Sequence, residues 1–194
     1  MPDTAQAPSI LSFPYAATSA PPELYRIPRW YACRTRARAE KQVDRLFGQA
    51  RLECYLPLVE HVRQWADRKK RVGFPLFPGY VFAHFTLSKI HDILRTPGVV
   101  TIVRVNGYPT PIQEEELESI RRLVDGVNST GLMPAPSDYL EVGQEVVVVD
   151  GPFRGMRGVL VEVRGTARVT VRLSAIRQAV SVEMDRKLLR PVRM

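Results

Sequence analysis

Phe77-Pro-Gly-Tyr-Val-Phe82 and Asp150-Gly-Pro-Phe-Arg-Gly-Met-Arg-Gly158 decide the fold of this chain, and about seventy residues separate them. In each stretch, glycine and proline make a tight turn that is joined directly to a β-strand. Neither turn is specific by itself, because many proteins use these residues in turns. Their order and separation predict two small folded units in one chain.

The composition is that of a folded, basic protein. Of the 194 residues, 45% are hydrophobic and 25% are charged, which argues against general disorder. The formal net charge of +8 fits a partner that is nucleic acid, or an acidic protein surface close to nucleic acid. Net charge alone does not identify a function, and the sequence motifs are more specific.

Cysteine usage and the N-terminal sequence indicate the compartment. Cys33 and Cys54 are the only cysteines, and no CxxC spacing occurs, so we predict neither disulfides nor a zinc site. The N-terminal residues do not predict a signal peptide of the usual form, and no stretch approaches the roughly 20 apolar residues of a membrane span. We expect a cytoplasmic protein with no membrane association, no metal and no cofactor.

The first part of the chain predicts a mixed α and β unit. Residues 1–25 are rich in proline and small polar residues and predict a flexible extension. Residues 26–126 show predicted elements in the order β-α-β-β-α-β-α, which favours an α+β sandwich with a mainly antiparallel sheet. Its last helix is predicted to begin at Thr110-Pro-Ile-Gln113, with Thr110 as the cap and Pro111 in the first turn.

The last part of the chain predicts strands alone. Residues 127–138 have the composition of a linker. Residues 139–194 contain five short stretches rich in β-branched side chains, with turn residues between them, which favours a small five-stranded β-barrel.

The titratable residues do not predict an enzyme. The histidines His61, His84 and His91 lack metal-ligand spacing, and the acidic run at residues 114–118 is explained by the start of a helix. No nucleophile motif or phosphate-binding glycine loop is present. We therefore predict a protein without catalytic activity.

A basic segment, Arg63-Gln-Trp-Ala-Asp-Arg-Lys-Lys-Arg71, lies at the predicted tip of a long β-hairpin. Cations neutralise phosphates and an indole can stack on a base, so the segment predicts a transient DNA contact. The alternative is a solvated loop that is kept soluble by its charge. The candidate contact residues are Arg63, Trp65, Arg68, Lys69, Lys70 and Arg71.

Aromatic residues around the first turn suggest an interface. Tyr31, Phe77, Tyr80 and Phe82 are predicted to form a concave apolar patch. Aromatic side chains in such patches often dominate the binding energy of protein interfaces. The alternative for each ring is simple burial in the core.

Several segments together resemble the NusG family of transcription factors. They are Trp30-Tyr31, Phe77-Pro-Gly-Tyr80, Arg95-Thr-Pro-Gly-Val99, Pro109 to Ile112, and Asp150-Gly-Pro-Phe153 with Gly155 and Gly158. The similarity covers about residues 29–193 and includes both family domains in order. It implies an NGN domain up to about Gly126 and a KOW domain, an SH3-like barrel, from about Tyr139.

The resemblance implies a monomeric elongation factor that binds RNA polymerase and modulates pausing and termination or antitermination. The NGN patch is expected on the clamp helices of the largest subunit, and the opposite edge near the gate loop of the second-largest subunit. On this chain the clamp-facing candidates are Tyr31, Phe77, Pro78, Tyr80 and Phe82. The gate-loop candidates are Ser88, Lys89 and His91.

The KOW domain of the family contacts a small-subunit ribosomal protein or the Rho terminator through an exposed Phe-Gly-Arg segment. This chain has Ala175-Ile-Arg-Gln178 in that place, and Phe153, Ile176 and Arg177 are the candidate partner-binding residues. This difference from the Phe-Gly-Arg segment of the family, together with the N-terminal extension, favours an operon-specific paralogue similar to RfaH and the capsule-operon antiterminators. The alternative function is that of a ribosomal or RNA-binding KOW protein.

Overall fold

Helices and strands alternate in the first part of the chain, and strands fill the last part. The computed structural model describes residues 20–64, 69–137, 139, 143–163 and 166–192. The helices are α1 (Glu40–Gln49), α2 (Ile90–Arg95) and α3 (Glu114–Thr130). Short 3-10 turns are found at Pro22–Tyr25, Leu87–Lys89, Ser174–Ile176 and Arg186–Leu188. No helix within the described ranges has the length and apolar composition that a membrane span requires.

The strands fall into an N-terminal and a C-terminal set. The N-terminal strands are β1 (Arg29–Thr35), β2 (Cys54–Tyr55), β3 (Leu58–Gln64), β4 (Lys69–Pro75), β5 (Tyr80–Phe85), β6 (Val99–Ile102), β7 (Arg104–Val105) and β8 (Tyr108–Pro109). The C-terminal strands are β9 (Ala135–Ser137), β10 (Gln144–Val148), β11 (Arg157–Val163), β12 (Thr166–Leu173), β13 (Gln178–Glu183) and β14 (Leu189–Pro191).

The N-terminal unit is a sandwich built on a four-stranded antiparallel sheet in the order β2-β5-β1-β6. Alternate residues of β1 point to opposite faces of this sheet. Tyr31 and Cys33 pack in one hydrophobic cluster with residues of α1 and α2, whereas Trp30 and Ala32 pack in another with residues of α3. The α+β class and the mainly antiparallel sheet predicted from the sequence are therefore confirmed.

Helix α3 begins later and ends later than the sequence pattern predicts. The expected cap, Thr110, instead bonds the β7–β8 hairpin, where its hydroxyl donates to the Tyr108 carbonyl and accepts from the Val105 amide. The helix starts at Glu114, and it runs through Gly126 to Thr130. Gly131 ends it with a left-handed φ of 74°, which glycine adopts without strain.

The C-terminal unit is a six-stranded antiparallel sheet in the order β14-β10-β11-β12-β13-β9. The five predicted strands are present, and Ala135–Ser137 from the expected linker pairs with β13 as a sixth. Of the described residues in that linker, 131–134 lie outside helices and strands. The Asp150–Gly158 segment turns between β10 and β11, with positive φ at Gly151 and Gly155.

The two units pack against each other through α3. Gly126, in the interior of the helix, lies against the ring of Phe153, and a Cβ atom at this position would stand 2.3 Å from that ring. The interior glycine costs the helix about 0.5–1 kcal/mol relative to alanine, so close approach of Phe153 explains its use. We call this packing of the C-terminal unit on α3 the closed arrangement.

Hydrogen bonds extend the closed arrangement along α3. The Glu116 carboxylate accepts from both the amide and the hydroxyl of Ser174. Arg122 Nη1 donates to the carbonyl of Arg154 at 2.8 Å, and the Arg157 amide donates to Ser119 Oγ at 3.3 Å. Together with Phe153 at Gly126, these contacts span more than two turns of the helix.

Gly126→Gln is expected to open the closed arrangement. Glutamine strengthens the helix itself, but its side chain takes the space that Phe153 occupies. The amides of Ser174 and Arg157 should then exchange hydrogen at least about tenfold faster, equivalent to about 1.4 kcal/mol of lost protection. Exchange measured by NMR or mass spectrometry checks this.

Gly48→Gln is the matched control for that measurement. Gly48 also lies inside a helix, α1, but a Cβ atom there would meet nothing within 4 Å. Exchange at Ser174 and Arg157 should keep the wild-type rate. Equal rates in both variants would show that Gly126 does not hold the two units together.

Candidate interaction surfaces

The Phe77–Tyr80 turn is fixed by backbone hydrogen bonds. Gly79 has a φ of 84°, its amide donates to the Glu40 carboxylate at 2.7 Å, and its carbonyl accepts from the Thr35 amide at 2.8 Å. Pro78 is exposed at the turn and Tyr80 is half-buried. The turn therefore presents one proline and one tyrosine at a corner that α1 and β1 hold in place.

The aromatic face is the side of the N-terminal sheet that packs toward α3, formed by Trp30, Phe77 and Phe82 with Tyr55 and Tyr80 beside them. The rings of Phe77 and Phe82 meet edge to face with centroids 6.2 Å apart. Both rings are buried, at 1% and 0% exposure. The predicted clamp-facing residues Phe77, Tyr80 and Phe82 are thus brought together, but largely beneath the surface.

Tyr31 lies on the other side of the sheet from the aromatic face. Its ring is fully buried and packs on Phe85 with centroids 4.8 Å apart. Burial raises the pKa of the Tyr31 hydroxyl to about 12, so this group stays protonated at neutral pH. The structure therefore does not join Tyr31 to the patch in which the sequence pattern placed it.

Trp30 belongs to the aromatic face and was not among the predicted site residues. Its ring stacks on His84 at 5.2 Å, and the Arg121 guanidinium of α3 lies 5.2 Å from its centroid and 5.4 Å from that of Tyr55. Ion pairs to Glu114 and Glu118 hold Arg121 in this position. The alternation of β1 could have indicated Trp30, because Trp30 and Ala32 point to one side of the sheet and Tyr31 points to the other.

The predicted gate-loop residues share one exposed edge. Ser88 and Lys89 lie in the 3-10 turn at Leu87–Lys89, and His91 follows in α2. All three are exposed, while the neighbouring Leu87 and Ile90 are buried in the cluster with α1. The short turn at Pro22–Tyr25 packs beside this edge, since Leu24 and Tyr25 contact the same cluster.

The basic hairpin consists of β3 and β4. Arg63 pairs with Lys70 and Gln64 with Lys69, which brings cationic positions together near the end of the hairpin. Arg71 is exposed and forms an ion pair with Glu60 at 3.4 Å. Trp65 and Arg68, and the side chains of Arg63, Lys69 and Lys70, lie outside the described residues.

In the closed arrangement, two of the three predicted partner-binding residues of the C-terminal unit are buried and one is exposed. Phe153 is buried against α3, and Ile176 is buried in the Ser174–Ile176 turn, which approaches β1. Arg177 is exposed, with a left-handed φ of 53°. One hydrophobic cluster contains both Phe153 and Ile176 together with Trp30 and residues of α3. The closed arrangement thus covers candidate surfaces of both units at once.

Comparison with known proteins relates the chain to transcription factors. Residues 28–121 match the family model described as "Transcription termination factor nusG". The transcription termination/antitermination protein NusG of Buchnera aphidicola subsp. Acyrthosiphon pisum is 30% identical over 148 residues, which cover 74% of this chain and 78% of that protein.

Two further relatives cover more of the chain. The NusG protein of Pseudomonas aeruginosa is 29% identical over 171 residues, which cover 81% of this chain and 94% of that protein. A solved structure on domain interaction in Thermotoga maritima NusG is 23% identical, with a TM-score of 0.46 over 86% of this chain and 98% of that chain. On the sequence matches, the chain belongs to the NusG family of transcription termination/antitermination proteins.

Proposed function

We propose that this chain is a cytoplasmic elongation factor that binds RNA polymerase and modulates pausing and termination or antitermination, without catalysing a reaction or holding a cofactor. The clamp helices of the largest subunit bind at the corner formed by Pro78 and Tyr80, and the buried rings of Phe77 and Phe82 support this corner from beneath. The gate loop of the second-largest subunit binds at Ser88, Lys89 and His91. Tyr31 supports this surface from the other face of the sheet.

The aromatic face carries this proposal. It combines five aromatic side chains with an arginine, which are the residue types that contribute most to binding at protein interfaces. Tyr55 and Tyr80 are its half-buried members, and Pro78 is exposed beside Tyr80 at the corner. A factor that bridges two parts of the polymerase disfavours an open, paused state by as much as it binds the closed state more tightly.

We infer that polymerase binding requires the C-terminal unit to leave α3. The Ser174–Ile176 turn approaches β1, and Ile176 shares a hydrophobic cluster with Trp30, so the edge of the aromatic face is covered in the closed arrangement. If only 1% of molecules were open, the apparent affinity for polymerase would be about a hundredfold below that of the open form.

We further propose an operon-specific role. Ala175-Ile-Arg-Gln178 lacks the aromatic residue and the glycine that the resemblance leads one to expect, and Ile176 is buried rather than presented. A contact with Rho or with a small-subunit ribosomal protein therefore has to use other groups, such as Phe153 and Arg177. The N-terminal residues 20–27, packed beside the predicted gate-loop edge, add a surface that supports specialisation.

Tyr80→Ala is expected to weaken polymerase binding by roughly thirtyfold, equivalent to about 2 kcal/mol for one interface aromatic. The measurement is biolayer interferometry with purified core RNA polymerase. It uses the Gly126→Gln background, which should itself bind more tightly than the wild type. Tyr108→Ala is the control, because Tyr108 is an exposed tyrosine on the β7–β8 hairpin. Equal affinity of the two alanine variants would contradict the proposed surface.

Replacing Arg68, Lys69, Lys70 and Arg71 by alanine is expected to leave polymerase affinity within about threefold of the wild type while reducing the effect on pausing. The reason is that these cations contact DNA phosphates, a contact that salt also weakens. In vitro transcription on several templates at two salt concentrations measures the effect. The control variant Arg186→Ala/Lys187→Ala removes two exposed cations from the C-terminal unit. It should affect polymerase pausing as the wild-type protein does. If the alanine variant affects pausing as the wild type does on every template, the segment is a solvated loop and does not contact DNA.

Transcription on a Rho-dependent template distinguishes the operon-specific role from a general one. Addition of the wild-type protein should leave Rho termination unchanged or lower it, because the Phe-Gly-Arg contact is missing. The Gly126→Gln variant should behave in the same way, which separates the missing contact from simple coverage by α3. Clear stimulation of Rho termination by either protein would contradict the operon-specific role.

A further inference from the structure

Helix α3 has two stripes with different partners. Leu117, Arg121, Val124 and Asn128 follow helical spacing, and this stripe faces the N-terminal unit: Arg121 lies over Trp30, and the Asn128 side chain bonds both the Leu58 carbonyl and the Glu60 amide. Glu116, Ser119, Arg122 and Gly126 form the opposite stripe, which faces the C-terminal unit. The two stripes therefore lie on opposite sides of the helix and contact different units.

Each position of the second stripe meets one group of the C-terminal unit. Glu116 meets Ser174, Ser119 meets the Arg157 amide, Arg122 meets the Arg154 carbonyl, and Gly126 meets the Phe153 ring. Three of these four contacts involve backbone groups of the C-terminal unit. They recognise the spacing of a helix, and the Phe153 ring requires a residue without a Cβ atom at one position.

Charge also matches between the two sides. Helix α3 contains five acidic and two basic residues, a net charge of 2 − 5 = −3. Residues 139–194 contain ten Lys/Arg and six Asp/Glu, a net charge of 10 − 6 = +4. An acidic helix is thus drawn to this unit by its overall charge as well as by its hydrogen bonds.

We propose that the surface of the C-terminal unit that now holds α3 binds an α-helix of another protein once the closed arrangement opens. The partner helix is acidic and amphipathic, with the pattern Glu-x-x-Ser-x-x-Arg-x-x-x-Gly, so that it reproduces the stripe Glu116, Ser119, Arg122 and Gly126. This inference rests on the opening included in the proposed function, but not on polymerase binding. The partner helix and α3 compete for one site, so the partner stabilises the open form by its own binding free energy.

The test uses the full-length Gly126→Gln protein and a fluorescent 17-residue peptide with the α3 sequence Glu114–Thr130. Leu117 and Val124 of the peptide are replaced by glutamine, which improves solubility without changing the net charge of −3, since they lie on the stripe away from the C-terminal unit. Fluorescence anisotropy should show saturable binding to Gly126→Gln, and at least tenfold weaker binding to the closed Gly48→Gln protein. The peptide keeps the glycine that has been replaced in the protein, so the peptide should bind the C-terminal unit more tightly than the protein's own α3 does.

Two matched changes test the recognition itself. A peptide with Gly126→Gln should bind the open protein at least tenfold more weakly, because its side chain meets Phe153. Phe153→Ala, added to the open protein, should weaken binding of the original peptide by a similar factor. Equal binding of both peptides would overturn the proposal, because the glycine would then have no role.

Opening is measured separately, by hydrogen exchange at Ser174 and Arg157. If the single substitution leaves these amides protected, Glu116→Lys is added to the protein to remove the contact with Ser174. An open protein that does not bind the peptide, or that pairs with a second copy of itself through this surface in ultracentrifugation, overturns the helix site and leaves the polymerase proposal intact. Peptide binding without polymerase binding overturns only the proposed function.

Discussion

Burial of α3 on two sides is the constraint on which the rest of the structure depends. One stripe of the helix covers the aromatic face of the N-terminal sheet, and the other holds the C-terminal unit. Leu117, Ile120 and Leu123 are fully buried, and each contributes roughly 1.5–3 kcal/mol through burial of its apolar side chain. The second stripe adds hydrogen bonds of about 0.5–1.5 kcal/mol each. The apolar residues of α3 also share one hydrophobic cluster with Phe153 and Met156 of the C-terminal unit, so the proposed opening has to break apolar contacts as well as hydrogen bonds.

The closed arrangement competes with every partner that uses the same surfaces. Ile176 and Trp30 share one cluster, and Phe153 is buried against Gly126, so contacts to either unit are linked to opening of the other. A ligand that binds both arrangements equally shifts nothing, however tightly it binds. Only partners that contact the covered groups, or that replace α3, can change the population of open molecules.

The elements could be predicted from the sequence, but their packing partners could not. Alternation and turn residues indicated the antiparallel sandwich and all five main strands of the C-terminal sheet, because these signals are local. The predicted start of α3 was wrong, because Thr110 is drawn into the β7–β8 hairpin. The helix also continues through Gly126, and the sequence did not indicate the contact of Gly126 with the Phe153 ring of the other unit. No local pattern reports a contact between residues 27 positions apart that belong to different units.

The aromatic face shows the same limit at the level of single residues. Tyr31 was predicted to join Phe77 and Phe82, yet strand alternation places Trp30 with them and Tyr31 with α1 and α2. To predict that Arg121 lies over Trp30 and Tyr55, one has to know which residues of both the helix and the strand face each other. An error of one residue in either element would turn the side chain away and remove the predicted contact. The ring of Trp30 lies between His84 and Arg121, which both belong to the N-terminal unit, so the proposed opening leaves these contacts in place. The edge of the aromatic face that the Ser174–Ile176 turn approaches is therefore ordered before a partner binds, and such a partner loses little free energy in arranging its side chains.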